Sequence, residues 1–153
     1  MLGEPSIILL IEDNPDHAEL VKRSLSDHRV TNKIFHIQDG QSALDYLFRR
    51  NGYADSETSP LPHLILLDLH LPRIDGLEVL AKIKESTELQ NIPVVILTTS
   101  EADKDIHRAY AHCANSYVIK PIGFEQFNQM IHDLGFYWLG WNTRPNSTPV
   151  VVE

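Results

Sequence analysis

A chain of 153 residues suits a single domain whose core removes roughly 70% of the unfolded surface from water. Its composition, 42% hydrophobic and 22% charged, is that of an ordinary globular protein, and a net charge of −8 argues against a nucleic-acid partner held through phosphates. Cys113 stands alone, so no intrachain disulfide can form, and no apolar run approaches the ~20 residues of a membrane span.

The first six residues lack a basic region and the apolar run after them is too short for a signal peptide, so a cytoplasmic protein without membrane attachment is expected. Residues 7–11 form that run and lead into Glu12-Asp13-Asn14. Asn14-Pro15 is a helix start, cap then first helical position, and Ala18, Val21 and Leu25 follow at helical spacing to about Asp27. Residues 33–37 read as a second strand, Asp39-Gly40 as a turn, and Ala43, Leu44, Leu47 and Phe48 as one face of a second helix. Residues 51–62 are polar and rich in chain breakers, a long loop. The third strand covers 64–67. A helix over 76–85 turns Leu77, Leu80, Ala81 and Ile83 inward. The fourth strand covers 94–98, a helix 103–111, the fifth strand 116–119 and a last helix 124–134 or slightly beyond. Five strand–helix pairs with short connections imply a parallel α/β sheet with right-handed crossovers. The domain is expected to span 1–140, with 141–153 a tail whose Pro, Asn, Ser and Thr suit a linker.

Four of the strands end on residues that one chemistry requires: Glu12 and Asp13, Asp68, Thr98, and Lys120-Pro121. Functional groups of such sheets gather beyond the carboxyl ends of the strands. Clustered carboxylates raise one another's pKa unless a cation relieves them, and Mg2+ suits them because it takes oxygen ligands and shares phosphate groups. Asp68 is then the expected nucleophile, carrying a phosphoryl group as an acyl phosphate. Lys120 would offer a compact positive charge and Thr98 a hydroxyl to the phosphoryl oxygens. Taken singly, each residue reads equally well as a helix cap, a solvated strand end or an ordinary strand residue.

Together these residues, with Pro72, Asp75-Gly76 and Tyr117, resemble the response-regulator receiver domain of two-component signalling over about residues 5–137. The resemblance implies a doubly wound, flavodoxin-like (βα)5 fold with strand order 2-1-3-4-5. It implies phosphorylation of Asp68 by a phosphohistidine of a sensor histidine kinase. Asp13 and Asp68 would ligate Mg2+ directly, Glu12 through water, and His70 through its backbone carbonyl. Thr98 and Tyr117 would carry the switch to the surface of helix four, strand five and helix five, and the Lys120-Pro121 bond would be cis.

Three features depart from that pattern or extend it. His70 and Ser100, each two residues beyond a site residue, flank the path of the hydrolytic water, so the phosphoryl lifetime does not transfer by analogy; the His70 ring is a rim group, since magnesium prefers oxygen. His107 and His112 are off the helical i,i+4 spacing and are assigned no metal, while Cys113 is expected to be a buried small residue. The cluster Phe136, Tyr137, Trp138 and Trp141, with the long 51–62 connection, resembles the small response regulators of cyanobacterial phytochrome kinases, which would make the partner a red-light sensor. Because no output module follows, another protein would read the phosphorylated state. Six residues are too few for one helical stripe to bury four aromatics, so a homodimer through helix four, strand five, helix five and this segment is expected.

Other classes compete. A degenerate receiver serving as a phosphorylation-independent scaffold is disfavoured by the intact Asp13, Asp68, Thr98 and Lys120. An Asp-nucleophile phosphatase would carry a second Asp where His70 stands. A flavodoxin-like or dinucleotide-binding protein lacks its Gly-rich phosphate loop after strand one.

Overall fold

In the computed structural model, residues 5–27 and 31–143 are described. The elements alternate: β1 (Ser6–Ile11), α1 (Pro15–Ser26), β2 (Asn32–Ile37), α2 (Gly40–Leu47), β3 (Leu64–Leu67), α3 (Gly76–Glu85), β4 (Val94–Thr98), α4 (Asp103–Ala111), β5 (Ser116–Ile119) and α5 (Phe124–Gly135). All strand pairs are parallel and the order is β2-β1-β3-β4-β5, the flavodoxin-like arrangement. Among the described residues no helix is long and apolar enough to cross a membrane.

Strand alternation divides the core into two layers. Leu9, Ile11, Ile65, Leu67, Val94 and Ile96 face one side, where Ala43, Leu44 and Leu47 of α2, Val79, Leu80 and Ile83 of α3, and Ala109 of α4 cover them. Ile8, Leu10, Leu64, Leu66, Val95 and Leu97 face the other, covered by Ala18, Val21 and Leu25 of α1 and Phe127, Ile131 and Leu134 of α5. Strands buried on both faces read as continuous apolar runs, which is why their amino-acid pattern lacks alternation.

Local chemistry sets the element ends. Asn14 caps α1 by accepting from the N–H groups of Asp16 and His17 at 2.9 and 3.2 Å. Asp39-Gly40, read as a turn, is instead the cap and first residue of α2, with the Asp39 carboxylate accepting from the Ser42 N–H at 2.8 Å. Gly76 opens α3 where a Cβ would fall 2.2 Å from the Asp68 carbonyl oxygen, so only glycine lets α3 approach the site strand so closely. Val79 joins Leu80 and Ile83 on the buried face of α3, while Leu77 packs at its margin.

Cys113 is exposed, not buried as expected. It occupies the left-handed turn that ends α4 (φ 69°), and Ala114 takes the inward position instead. After α5 the chain continues as a π-helical segment, Phe136–Trp141, in which the Asn142 N–H reaches back five residues to the Tyr137 carbonyl at 2.6 Å. Trp138 and Leu139 turn onto the α1–α5 layer, while Phe136, Tyr137 and Trp141 face outward. Of the expected tail, residues 144–153 lie outside the described residues.

Candidate functional site

Register brings the site together. Ile11, Leu67, Ile96 and Tyr117 share one rung across β1, β3, β4 and β5, so the residues just beyond that rung emerge along one edge of the sheet. Backbone bonds carry the ladder past the strand ends: the Asp68 N–H donates to the Ile11 carbonyl at 3.0 Å and the Lys120 N–H to the Thr98 carbonyl at 2.7 Å.

Glu12, Asp13 and Asp68 each offer a carboxylate oxygen, and the three lie within 4.8 Å of one another. Glu12 is 1% exposed and Asp68 8%, whereas Asp13 opens to solvent. Lys120, 5% exposed, reaches into the cluster. Its Nζ donates to Glu12 Oε1, to Asp68 Oδ2 at 3.1 Å and to His17 Nδ1 at 3.0 Å. The second Glu12 oxygen accepts from the Asn14 N–H at 3.2 Å, and Asp68 Oδ1 accepts from the His70 N–H at 3.3 Å. The His36 Nε2 lies 2.8 Å from the Glu12 carbonyl, tying β2 to the end of β1.

Burial dominates the electrostatics. Desolvation pushes the Glu12 carboxyl up to about 7 against the opposing pull of Lys120, and nearby Asp68 adds to the rise. His17 is shifted down, first by burial and then by the Lys120 ammonium, which keeps its ring neutral and its Nδ1 lone pair available.

These donors suit a hard divalent cation. Carboxylate oxygens are the ligands such ions prefer, and Asp13 leaves the cluster open to water, as an ion that retains hydration requires. Both Glu12 oxygens are engaged, by Lys120 and the Asn14 N–H, and both Asp68 oxygens, by Lys120 and the His70 N–H.

Thr98 and Tyr117 meet at Ser100. The Ser100 N–H donates to Thr98 Oγ1 at 3.3 Å, and the Tyr117 hydroxyl donates to the Ser100 carbonyl at 3.0 Å. The Ser100 hydroxyl donates to Asp105 Oδ2 at 2.5 Å, anchoring this loop to α4. Tyr117 is half-buried, and burial raises its hydroxyl pKa. The His70 ring lies on the exposed rim.

A further expectation is overturned. The Lys120–Pro121 bond is trans, as is every peptide bond among the described residues. An X–Pro amide itself favours trans by about 0.5–1 kcal/mol, and Lys120 reaches both carboxylates from the trans linkage. Sequence reasoning missed His17. The signal was present, since a helix capped at Asn14 directly after the acid pair must lay its first turn beside the pocket.

Comparison with known proteins agrees with this geometry. The response regulator receiver domain family matches residues 8–132. The probable methanogenesis regulatory protein FilR2 of Methanothrix harundinacea (strain 6Ac) is 48% identical over 142 residues, covering 93% of this chain and 89% of that protein. Response regulator Rcp1 of Synechocystis sp. is 38% identical over 141 residues, covering 92% of this chain and 94% of Rcp1. The crystal structure of its Mn2+-bound form superposes with a TM-score of 0.88 at 37% identity, over 93% of this chain and all (100%) of that one. The phosphorylated cyanobacterial phytochrome response regulator RcpA gives a TM-score of 0.89 at 36% identity, over 94% of this chain and 100% of RcpA.

Proposed function

Because this chain belongs to the response regulator receiver domain family, we propose that Asp68 accepts a phosphoryl group from the phosphohistidine of a sensor histidine kinase. The observation that carries this reading is the meeting of the Asp68 carboxylate with Glu12 and Asp13 on one side and the Lys120 ammonium on the other. An anionic phosphoryl group needs such neutralisation to approach a carboxylate. The Asp68 oxygen forms a bond to phosphorus while the P–N bond of the phosphohistidine breaks, and the imidazole leaves with the electron pair. Lys120 is held where an N–H can pass from Asp68 to a phosphoryl oxygen, and the Thr98 hydroxyl would serve as a second donor.

A divalent cation, Mg2+ or Mn2+, bound by Asp13, Asp68 and the His70 carbonyl, with Glu12 acting through water, would supply further positive charge and orientation. Drawing Thr98 toward the phosphoryl group breaks its bond with the Ser100 N–H, and the Ser100 carbonyl is where Tyr117 is anchored. Phosphorylation thereby biases Tyr117 and the α4–β5–α5 surface between two arrangements.

That surface carries the proposed homodimer contact. Tyr110, Ile122, Phe124, Tyr137 and Trp141 all stand exposed along it and along the segment after α5, and exposed apolar side chains of this kind support an interface. The kinase is read as a phytochrome-type light sensor, on the likeness to RcpA. The higher identity to FilR2, a protein named for methanogenesis, supports a second reading in which the kinase has another input.

Acetyl phosphate with Mn2+ or Mg2+ is expected to give one phosphoryl adduct by intact mass, absent in Asp68→Asn and after chelation. Labelling of Asp68→Asn at the parent's level would refute the assignment. Phosphotransfer from purified phytochrome and non-phytochrome kinases separates the two partner readings. Trp141→Ser with Tyr137→Ser is expected to weaken the dimer in sedimentation, and a parent chain that is monomeric in both states would remove that contact.

A further inference from the structure

The Lys120 ammonium has three hydrogens and meets three acceptors: Glu12 Oε1, Asp68 Oδ2 at 3.1 Å and His17 Nδ1 at 3.0 Å. An ammonium has no lone pair, so Nδ1 must accept and the ring proton must sit on Nε2. His17 is itself held twice. Its backbone N–H donates to the Asn14 cap at 3.2 Å, and its ring rests on Phe127 of α5 with centroids 5.8 Å apart.

Two of the three partners differ in kind from the third. Asp68 loses its carboxylate charge when it is phosphorylated, whereas Glu12 and His17 stand outside the reacting group. Resting on the phosphoacceptor reading of Asp68, we propose that His17 is a positioning residue. With Glu12 it forms a two-point cradle that fixes the ammonium, so that only the third N–H exchanges Asp68 for a phosphoryl oxygen. A neutral acceptor fits this task because a further carboxylate would draw the ammonium away from Asp68. In reaction with acetyl phosphate the Asp68 oxygen bonds to phosphorus, the bridging P–O bond breaks and acetate leaves with the electron pair. Lys120 gives up no proton.

The test compares His17→Phe, which keeps a ring against Phe127 but removes the acceptor, with His17→Gln, which restores an acceptor. Labelling by acetyl phosphate in the presence of Mn2+ is followed by intact mass over a range of donor concentrations. His17→Phe is expected to lower the maximal rate roughly tenfold, the equivalent of about 1.4 kcal/mol, and to leave the half-saturating donor concentration and Mn2+ affinity unchanged. His17→Gln recovers most of the rate, and nitrogen NMR of the parent shows a His17 ring protonated on Nε2. A His17→Phe variant that labels at the parent's rate overturns the role. So does a loss shared equally by both variants together with a lowered urea midpoint, which marks plain packing, or a ring protonated on Nδ1. A parent chain that takes no label on Asp68 instead overturns the reading of the site, and the role of His17 with it.

Discussion

Strands β1, β3 and β4 are covered on both faces, whereas none of the four residues of β5 is fully buried and α4 beside it buries only Ala109. The candidate site straddles the two regions. Glu12, Asp13 and Asp68 stand on the densely packed strands, while Tyr117 and Lys120 come from the lightly packed edge and Thr98 borders it. On the phosphoacceptor reading, dense packing would keep the carboxylates in place through a change of charge, and sparse packing would let the edge respond at low cost. A receiver needs both, a fixed site for chemistry and a surface whose two arrangements differ little in free energy.

The sharpest way to break this comparison is to cut the same amount of side chain from each region. Leu66→Ala, at the centre of β3, is expected to lose about 2–5 kcal/mol in urea unfolding. Ile119→Ala, on the exposed side of β5, is expected to stay within about 0.5 kcal/mol of the parent. Equal costs would mean that the edge is as tightly packed as the centre.

The next effect belongs to the buried charge at the dense end. Glu12 has its folded pKa raised to about 7 from an ordinary 4.5 by burial, so over that interval the folded chain holds a proton that the unfolded chain releases. Its contribution is therefore complete below 4.5 and is lost as pH rises through about 7. In metal-free buffer the stability of Glu12→Gln relative to the parent should increase across that window. A difference that stays flat, or falls with pH, would contradict the desolvated carboxylate.

Smaller is the cost of untying the edge. Tyr117→Phe removes the hydroxyl bond to the Ser100 carbonyl and is expected to cost about 0.5–1.5 kcal/mol. Hydrogen exchange should quicken in the Ser100 loop and α4 and leave β1 and β3 protected. The smallest expected effect is none: Thr98→Ala and Tyr117→Ala should bind Mn2+ as the parent does while uncoupling phosphorylation from partner recognition. A large loss of Mn2+ affinity in either would move these residues into the metal site.

Most of the architecture was legible in the chain because parallel strands buried on both faces leave apolar runs that nothing else explains. Asn14, the 51–62 breakers and Gly76 punctuate those runs through backbone chemistry that needs no tertiary context. The acidic, hydroxyl and lysine residues at the strand ends could be named for the same reason, since a strand's carboxyl end is a position on the chain. Tertiary structure alone decided what those residues touch. His17, 103 residues from Lys120, becomes its acceptor only when α1 packs on α5, and the Ser100 carbonyl becomes the anchor of Tyr117 only when β5 pairs with β4. Cys113 turned outward because the left-handed end of α4 placed Ala114 inside, and Trp138 packed onto the α1–α5 layer while keeping an edge-to-face contact with the outward-facing Tyr137. Hydrophobic pattern and turn chemistry are local and can be read along the chain. Hydrogen-bond partners and the division of burial depend on which surfaces meet, and these are settled only when the layers close.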